Sequence, residues 1–148
     1  VLISSDYRAK IMRWQNKLVQ MPQVEIVPTH YMVDGLYARE ITLLKDTLAI
    51  GEIHKKGQIN VISKGLLYIL TEEGVRKVCG GTTFIGYPGA KRAAYVLEDT
   101  TWVTISPTRE TDLIKIREEL IADTFPIFDQ CVLTSDLTGF IEGDLVGG

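Results

Sequence analysis

Between residues 5 and 21, apolar side chains recur at Tyr7, Ile11, Trp14, Leu18 and Met21, in steps of 4, 3, 4 and 3. That spacing predicts a helix with one apolar stripe. Arg8, Lys10, Arg13 and Lys17 flank the stripe, Ser4 or Ser5 can cap it, and Pro22 stops it. Such a stripe covers either a face of its own domain or a partner subunit. In the second case Ile11, Trp14 and Leu18 are the interface residues.

From residue 24 to 106 the period shortens. The apolar runs predict strands at Val24–Val27, Leu36–Leu43, Thr47–Ile53, Gln58–Ile62, Leu66–Leu70, Val75–Cys79, Thr83–Ile85, Arg92–Leu97 and Trp102–Ile105. Turn signals separate them, among them Asp34-Gly35, Lys56-Gly57, Lys64-Gly65, Gly80-Gly81 and Pro88-Gly89. Even spacing of this kind points to an antiparallel sandwich or barrel rather than to βαβ units. The clearest hairpin joins Leu66–Leu70 to the strand opening at Val75, with Gly74 in the left-handed position that the loop needs. Residues 111–122 return to helical period, with Thr111 as the cap and Leu113, Ile116 and Leu120 on one face. Beyond Pro126 the chain is rich in Gly, Asp and Thr but keeps Ile127, Phe128, Phe140 and Ile141, the pattern of an extended arm lying on a surface.

The expected layout is one domain: an amphipathic helix over 1–22, a β-barrel over 23–108, a helix over 109–124 and an extended acidic arm over 125–148. A length of 148 residues with 45% hydrophobic side chains is enough for a sizeable core. The net charge of −3 argues against nucleic-acid binding through bulk charge. Charge is nevertheless split, with 13 basic and 8 acidic groups over 1–97 and 3 basic and 11 acidic over 98–148. The acidic part is either a solvated tail or a partner for a basic face on its own or a neighbouring subunit. Cys79 and Cys131 form no CxxC pair, so neither a zinc ribbon nor a redox pair is expected, and Cys79 falls in a strand pattern that suggests burial. No apolar run reaches the roughly 18 residues of a membrane span, and no signal peptide is visible, so a reducing, intracellular setting is expected.

Two segments resemble the paired motifs of the cupin superfamily, small jelly-roll β-barrels. The first runs from Gly51 through His54, Lys56, Gln58 and Asn60 to Gly65, and the second from Gly81 through Pro88, Gly89 and Arg92 to Val96. The second keeps the family spacing from Gly81 to Gly89 to Arg92; in the first, Gln58 and Asn60 compete for the position of the family's Glu. The wider layout resembles cupin-like proteins encoded by tailed phages and prophages, through residues 34–40, 53–55, 88–92, 98–102 and 111–113. The resemblance implies a mainly β fold, a cupin-like antiparallel jelly-roll barrel with an N-terminal helix, a helix after the barrel and an extended C-terminal arm. It brings no firm activity.

The departures carry the functional expectation. A metal-binding cupin uses His, His, Glu and a late His; here those positions hold His54, Lys56, Gln58 or Asn60, and Arg92. One imidazole beside two cations does not suit a divalent metal, so no metal and no cofactor are expected. If the barrel closes as the resemblance implies, His54, Lys56, Asn60 and Arg92 converge as a pocket for a small anion such as a nucleotide or sugar phosphate. Alternatively, Lys55 and Lys56 form a solvated turn and Arg92 pairs with an internal acid such as Glu40 or Glu52. A third reading, a metal-free sugar isomerase or epimerase, would use His54 as base and Tyr68, Tyr87 or Tyr95 as acid. Trp102 belongs to a closing strand, in the core or at a subunit interface. Taken together, the expected function is that of a non-catalytic, metal-free, phage-encoded domain working through homo-oligomeric assembly. Its expected partners are further copies and other phage proteins, in the bacterial cytoplasm or the virion, with no role at a membrane or on nucleic acid.

Overall fold

The computed structural model describes residues 5–71, 74–122 and 130–133. Helix α1 spans Ser5–Leu18, followed by β1 Thr29–Val33, β2 Leu36–Leu43, β3 Thr47–Ile50, β4 Gln58–Thr71, β5 Gly74–Cys79, β6 Thr82–Gly86, β7 Ala93–Pro107, α2 Leu113–Leu120 and β8 Gln130–Leu133. All strand pairings are antiparallel, and the fold is mainly β. Strand β7 is the spine. One edge takes β3 and then β2; the other takes β4 along nearly its whole length. The far edge of β4 takes β6 over Gln58–Ile62 and β5 over Leu66–Thr71. Register shifts between Ile62 and Leu67 bend the β4–β7 ladder. The sheet therefore curls into half of a jelly-roll barrel, with a concave inner face and a convex outer one.

Strand parity sorts the core between these faces. Ile62, Leu67, Ile69, Val78 and Ala94 fill the concave side, with Phe84 and Trp102 packed against them. Beside them Leu43, Ala49 and Val96 are covered by Val24 and Ile26. On the convex side, Ile11 and Leu18 of α1 pack with Leu48, Ile50, Leu70, Ala93 and Val132. The apolar stripe of α1 is thus spent on its own sheet. Ile11 and Leu18 are fully buried in their own chain and do not offer a surface to a partner, which corrects the interface expected at those two residues; Trp14 is half-buried at the same seam.

Several expected elements are redrawn. Residues 58–62 and 66–70 are one strand, β4, and 92–97 and 102–105 are one strand, β7, because bulges carry the ladder through the polar residues between them. Val24–Val27 alternates half-buried and exposed positions but is not a strand: between Pro22 and Pro28 it lies over the concave face without a ladder partner. Strand β1 was not expected, because all five of its side chains are exposed and give no alternation. Cys79 is exposed, not buried. Helix α2 begins one residue later than expected, with Asp112 as its cap: the carboxylate accepts from the Ile114 and Lys115 N–H groups at 2.8 and 3.3 Å. Of the arm expected over 125–148, only β8 lies within the described residues, and it pairs with β3. Gly74 has φ +114°, the left-handed conformation expected of it.

Candidate functional site

Among the described residues the concave face is closed at two places, and the gap between them is the candidate site. On the β2–β3 side it is covered by Val24 and Ile26. At one end it is covered by α2, whose Ile116 and Leu120 pack on Tyr37. Under β5 and β6 it stays open, and there a half-open pocket of about 100 Å³ is lined by Ile69, Val78, Phe84, Ala90, Arg76 and Arg92 among others.

The segment from Tyr87 to Arg92 forms one wall of this pocket, and backbone hydrogen bonds fix it. The Gly89 N–H donates to the His54 carbonyl at 2.8 Å, and the Gly51 N–H donates to the Arg92 carbonyl at 3.0 Å. Lys91 is fully buried, with its Nζ donating to the Gly51 carbonyl at 2.8 Å. The buried cation of the second motif is therefore Lys91, and Arg92 is turned toward the pocket. Its guanidinium carbon lies 5.5 Å from the centre of the Phe84 ring. Phe84 meets Trp102 edge-on at 5.8 Å, and Trp102 Nε1 donates to Asn60 Oδ1 at 2.9 Å.

Of the four residues expected to converge, Asn60 and Arg92 share the concave side, whereas Lys56 does not. Lys56 is exposed and pairs with Glu119 of α2 at 2.7 Å. His54 bridges to Ile121 through its backbone and does not line the pocket. The pairing of Lys56 outward, on α2, corrects its placement in an anion site. Glu52, one of the two acids expected beside Arg92, takes Arg117 at 2.9 Å. Of the three tyrosines weighed as an acid for His54, Tyr68 faces Tyr95 across the ladder on the outer face, and Tyr87 lies half-exposed at the pocket rim. Among the described residues no three His, Cys, Asp or Glu side chains converge as metal ligands would.

Gln58 and Asn60 both face inward, so the competition between them for one inward position has no single winner. Asn60 Oδ1 accepts from Trp102 and, at 3.1 Å, from Thr104 Oγ1, while its buried Nδ2 has no partner. Gln58 Oε1 is likewise buried without a partner. Sequence reasoning missed Phe84 and Arg76, although their parity on β6 and β5 places both on the face of Gln58 and Ile69. The second histidine, His30, sits at the opposite edge of the sheet with Nδ1 2.7 Å from the Tyr37 hydroxyl. Burial, and then the Arg39 charge, hold it below its ordinary value of 6.5, so the ring is neutral at pH 7.

Glu119 is the hinge between α2 and the first motif. Its Oε1 accepts from Lys56 Nζ at 2.7 Å and its Oε2 from Thr108 Oγ1 at 2.6 Å. These hydrogen bonds, that of Lys56 first, hold the carboxyl below its ordinary value of 4.5. A carboxyl more acidic when folded contributes stability that is complete above about pH 4.5 and is lost as the pH falls through its lower folded value. Glu119→Gln should therefore flatten the acid limb of the melting temperature below about pH 4.5. A melting series from pH 3 to 7 checks this, and an acid limb identical to wild type would contradict the anchor.

No protein-family model matches the chain, and no curated protein matches it. Solved structures that it resembles include cupin-family proteins. A cupin-2 domain protein from Shewanella frigidimarina is 13% identical over 68% of this chain and 97% of that one, with a TM-score of 0.48. An RmlC-like cupin family protein with a double-stranded β-helix fold, from Methanocaldococcus jannaschii, is 10% identical over 57% and 81%, with a TM-score of 0.49. KdgF from a Halomonas species is 16% identical over 62% and 91%, with a TM-score of 0.49. These likenesses concern shape alone and give no residue of this chain a role. The class of protein is set by the chain's own sheet: a mainly β, cupin-like half-barrel carrying two helices.

Proposed function

We propose that this chain is a non-catalytic assembly module, a cupin-like domain that works by packing the outer face of its sheet against further subunits. The observation that carries the reading is a row of apolar side chains across five strands. Ile85 lies opposite Ile59, Ile59 opposite Ile105, Ile105 opposite Ala38, and Ala38 opposite Tyr31. Directly opposed residues share a face, and parity puts this row on the convex side. Helix α1 covers only the other end of that side. Ile85 is 61% exposed, Ile59 48% and Tyr31 51%, and Val33 and Leu36 extend the patch one row further. Monomers rarely leave a contiguous apolar face of this kind in water.

The phage-borne origin expected from residues 34–40, 53–55, 88–92, 98–102 and 111–113 belongs to this proposal and rests on those segments alone. So does a place in the bacterial cytoplasm or the virion. Ile59→Lys puts a charge at the centre of the row, where the side chain is exposed and the cost to folding is within about 0.5 kcal/mol. Sedimentation velocity should then show the assembly of the unmodified chain replaced by 16.5 kDa monomers. An assembly unaffected by Ile59→Lys, and equally by Ile85→Lys, would refute this interface.

A further inference from the structure

The pocket under β5 and β6 combines features that the assembly reading does not use. Its walls are apolar, from Ile69, Val78, Phe84 and Ala90, and two guanidiniums, Arg76 and Arg92, stand at it. Arg76 lies opposite the buried Ile69 in the β4–β5 register and so shares its concave face. Among the described residues no Asp or Glu lines the pocket. Arg92 is oriented by the Phe84 ring beneath it. Its Nη2 and the Oε1 of the buried Gln58 both flank Gly86, where an added Cβ would fall on both atoms. The site thus sets two guanidiniums against apolar walls, one of them stacked on an aromatic ring.

We infer that this pocket binds a small organic carboxylate with an apolar body. The carboxylate faces the Arg92 and Arg76 guanidiniums, whose planar donors suit it. The body lies against Ile69, Val78 and Phe84. Inorganic phosphate would meet the same cations but gain nothing from those walls, and a pocket of about 100 Å³ is too small to enclose a nucleotide. The class is accordingly narrower than the anion expected from the first and second motifs. It depends on Arg76 and Phe84 in place of His54 and Lys56.

Isothermal titration calorimetry on the full chain tests this, with sodium benzoate as the probe and inorganic phosphate as the comparison anion. The expected result is saturable benzoate binding, no phosphate binding over the same range, and affinity for benzoate lowered about tenfold or more by Arg92→Gln. Gly86→Ala should lower it severalfold while the chain stays folded, because only the flexible ends of Gln58 and Arg92 must move. Arg76 is exposed, so Arg76→Gln carries the test if Arg92→Gln fails to fold. Absence of saturable benzoate binding up to about 10 mM overturns the inference. Binding that survives both arginine substitutions also overturns it, as does phosphate bound as well as benzoate.

Discussion

Replacing Gly65 by alanine should destabilise this protein by about 3 kcal/mol or more, measured by urea denaturation. Gly65 has φ +113°, in the left-handed region that disfavours a side chain. A Cβ there would lie 2.6 Å from both the Asp99 carbonyl oxygen and Thr100 Cα, on the neighbouring strand β7. Those are backbone atoms in the middle of the longest ladder of the sheet, and they cannot step aside without breaking it. Crowding continues on the other side, where the Gly80 N–H donates to the Gly65 carbonyl at 2.9 Å. Gly74 separates the two causes. Its φ is +114°, but a Cβ would meet nothing within 4 Å. Gly74→Ala should therefore cost only the backbone strain, about 1 kcal/mol. Equal losses in the two variants would contradict the close approach of β4 and β7 at the bulge.

Leu18→Ala should cost about 2–5 kcal/mol by the same measurement, a large part of the stability of a domain this size. Leu18 is fully buried and packs with Ile11, Leu48, Ile50, Leu70, Ala93 and Val132, which draws α1, β3, β4, β7 and β8 into one cluster. Truncation removes the contacts that hold α1 on the convex face and leaves a cavity. Had the helix been a free arm awaiting a subunit, the dilute monomer would scarcely register the change. A loss under about 0.5 kcal/mol would mean that the helix does not pack on its own sheet.

The antiparallel, mainly β architecture was legible from period and punctuation, because turns such as Asp34-Gly35 and the glycine at position 74 impose positive φ that few residues tolerate. Strand continuity was not. Ser63, Lys64 and Gly65 read as a break, yet the ladder passes through them as a bulge, since its hydrogen bonds come from backbone and not from side-chain pattern. Strand β1 was hidden for the opposite reason: its backbone pairs fully with β2 while its side chains face solvent. The Asp34-Gly35 turn, with both residues at positive φ, was the signal that could have revealed it. At the site, strand parity put Asn60 on one face with His54 and Lys56; Asn60 does face inward, and so does its rival Gln58. Parity misled for Lys56, which precedes β4 and follows α2 outward to Glu119. Arg92 was found through motif spacing; Arg76 needed the register of the β4–β5 hairpin.

The claim that the exposed apolar row of the outer face is an assembly surface is tested most directly by the native mass of the unmodified chain, sprayed without added ligand. The account predicts a homo-oligomer at an integral multiple of 16.5 kDa, dissociating in Ile59→Lys. A monomer at 16.5 kDa at micromolar concentration would contradict it.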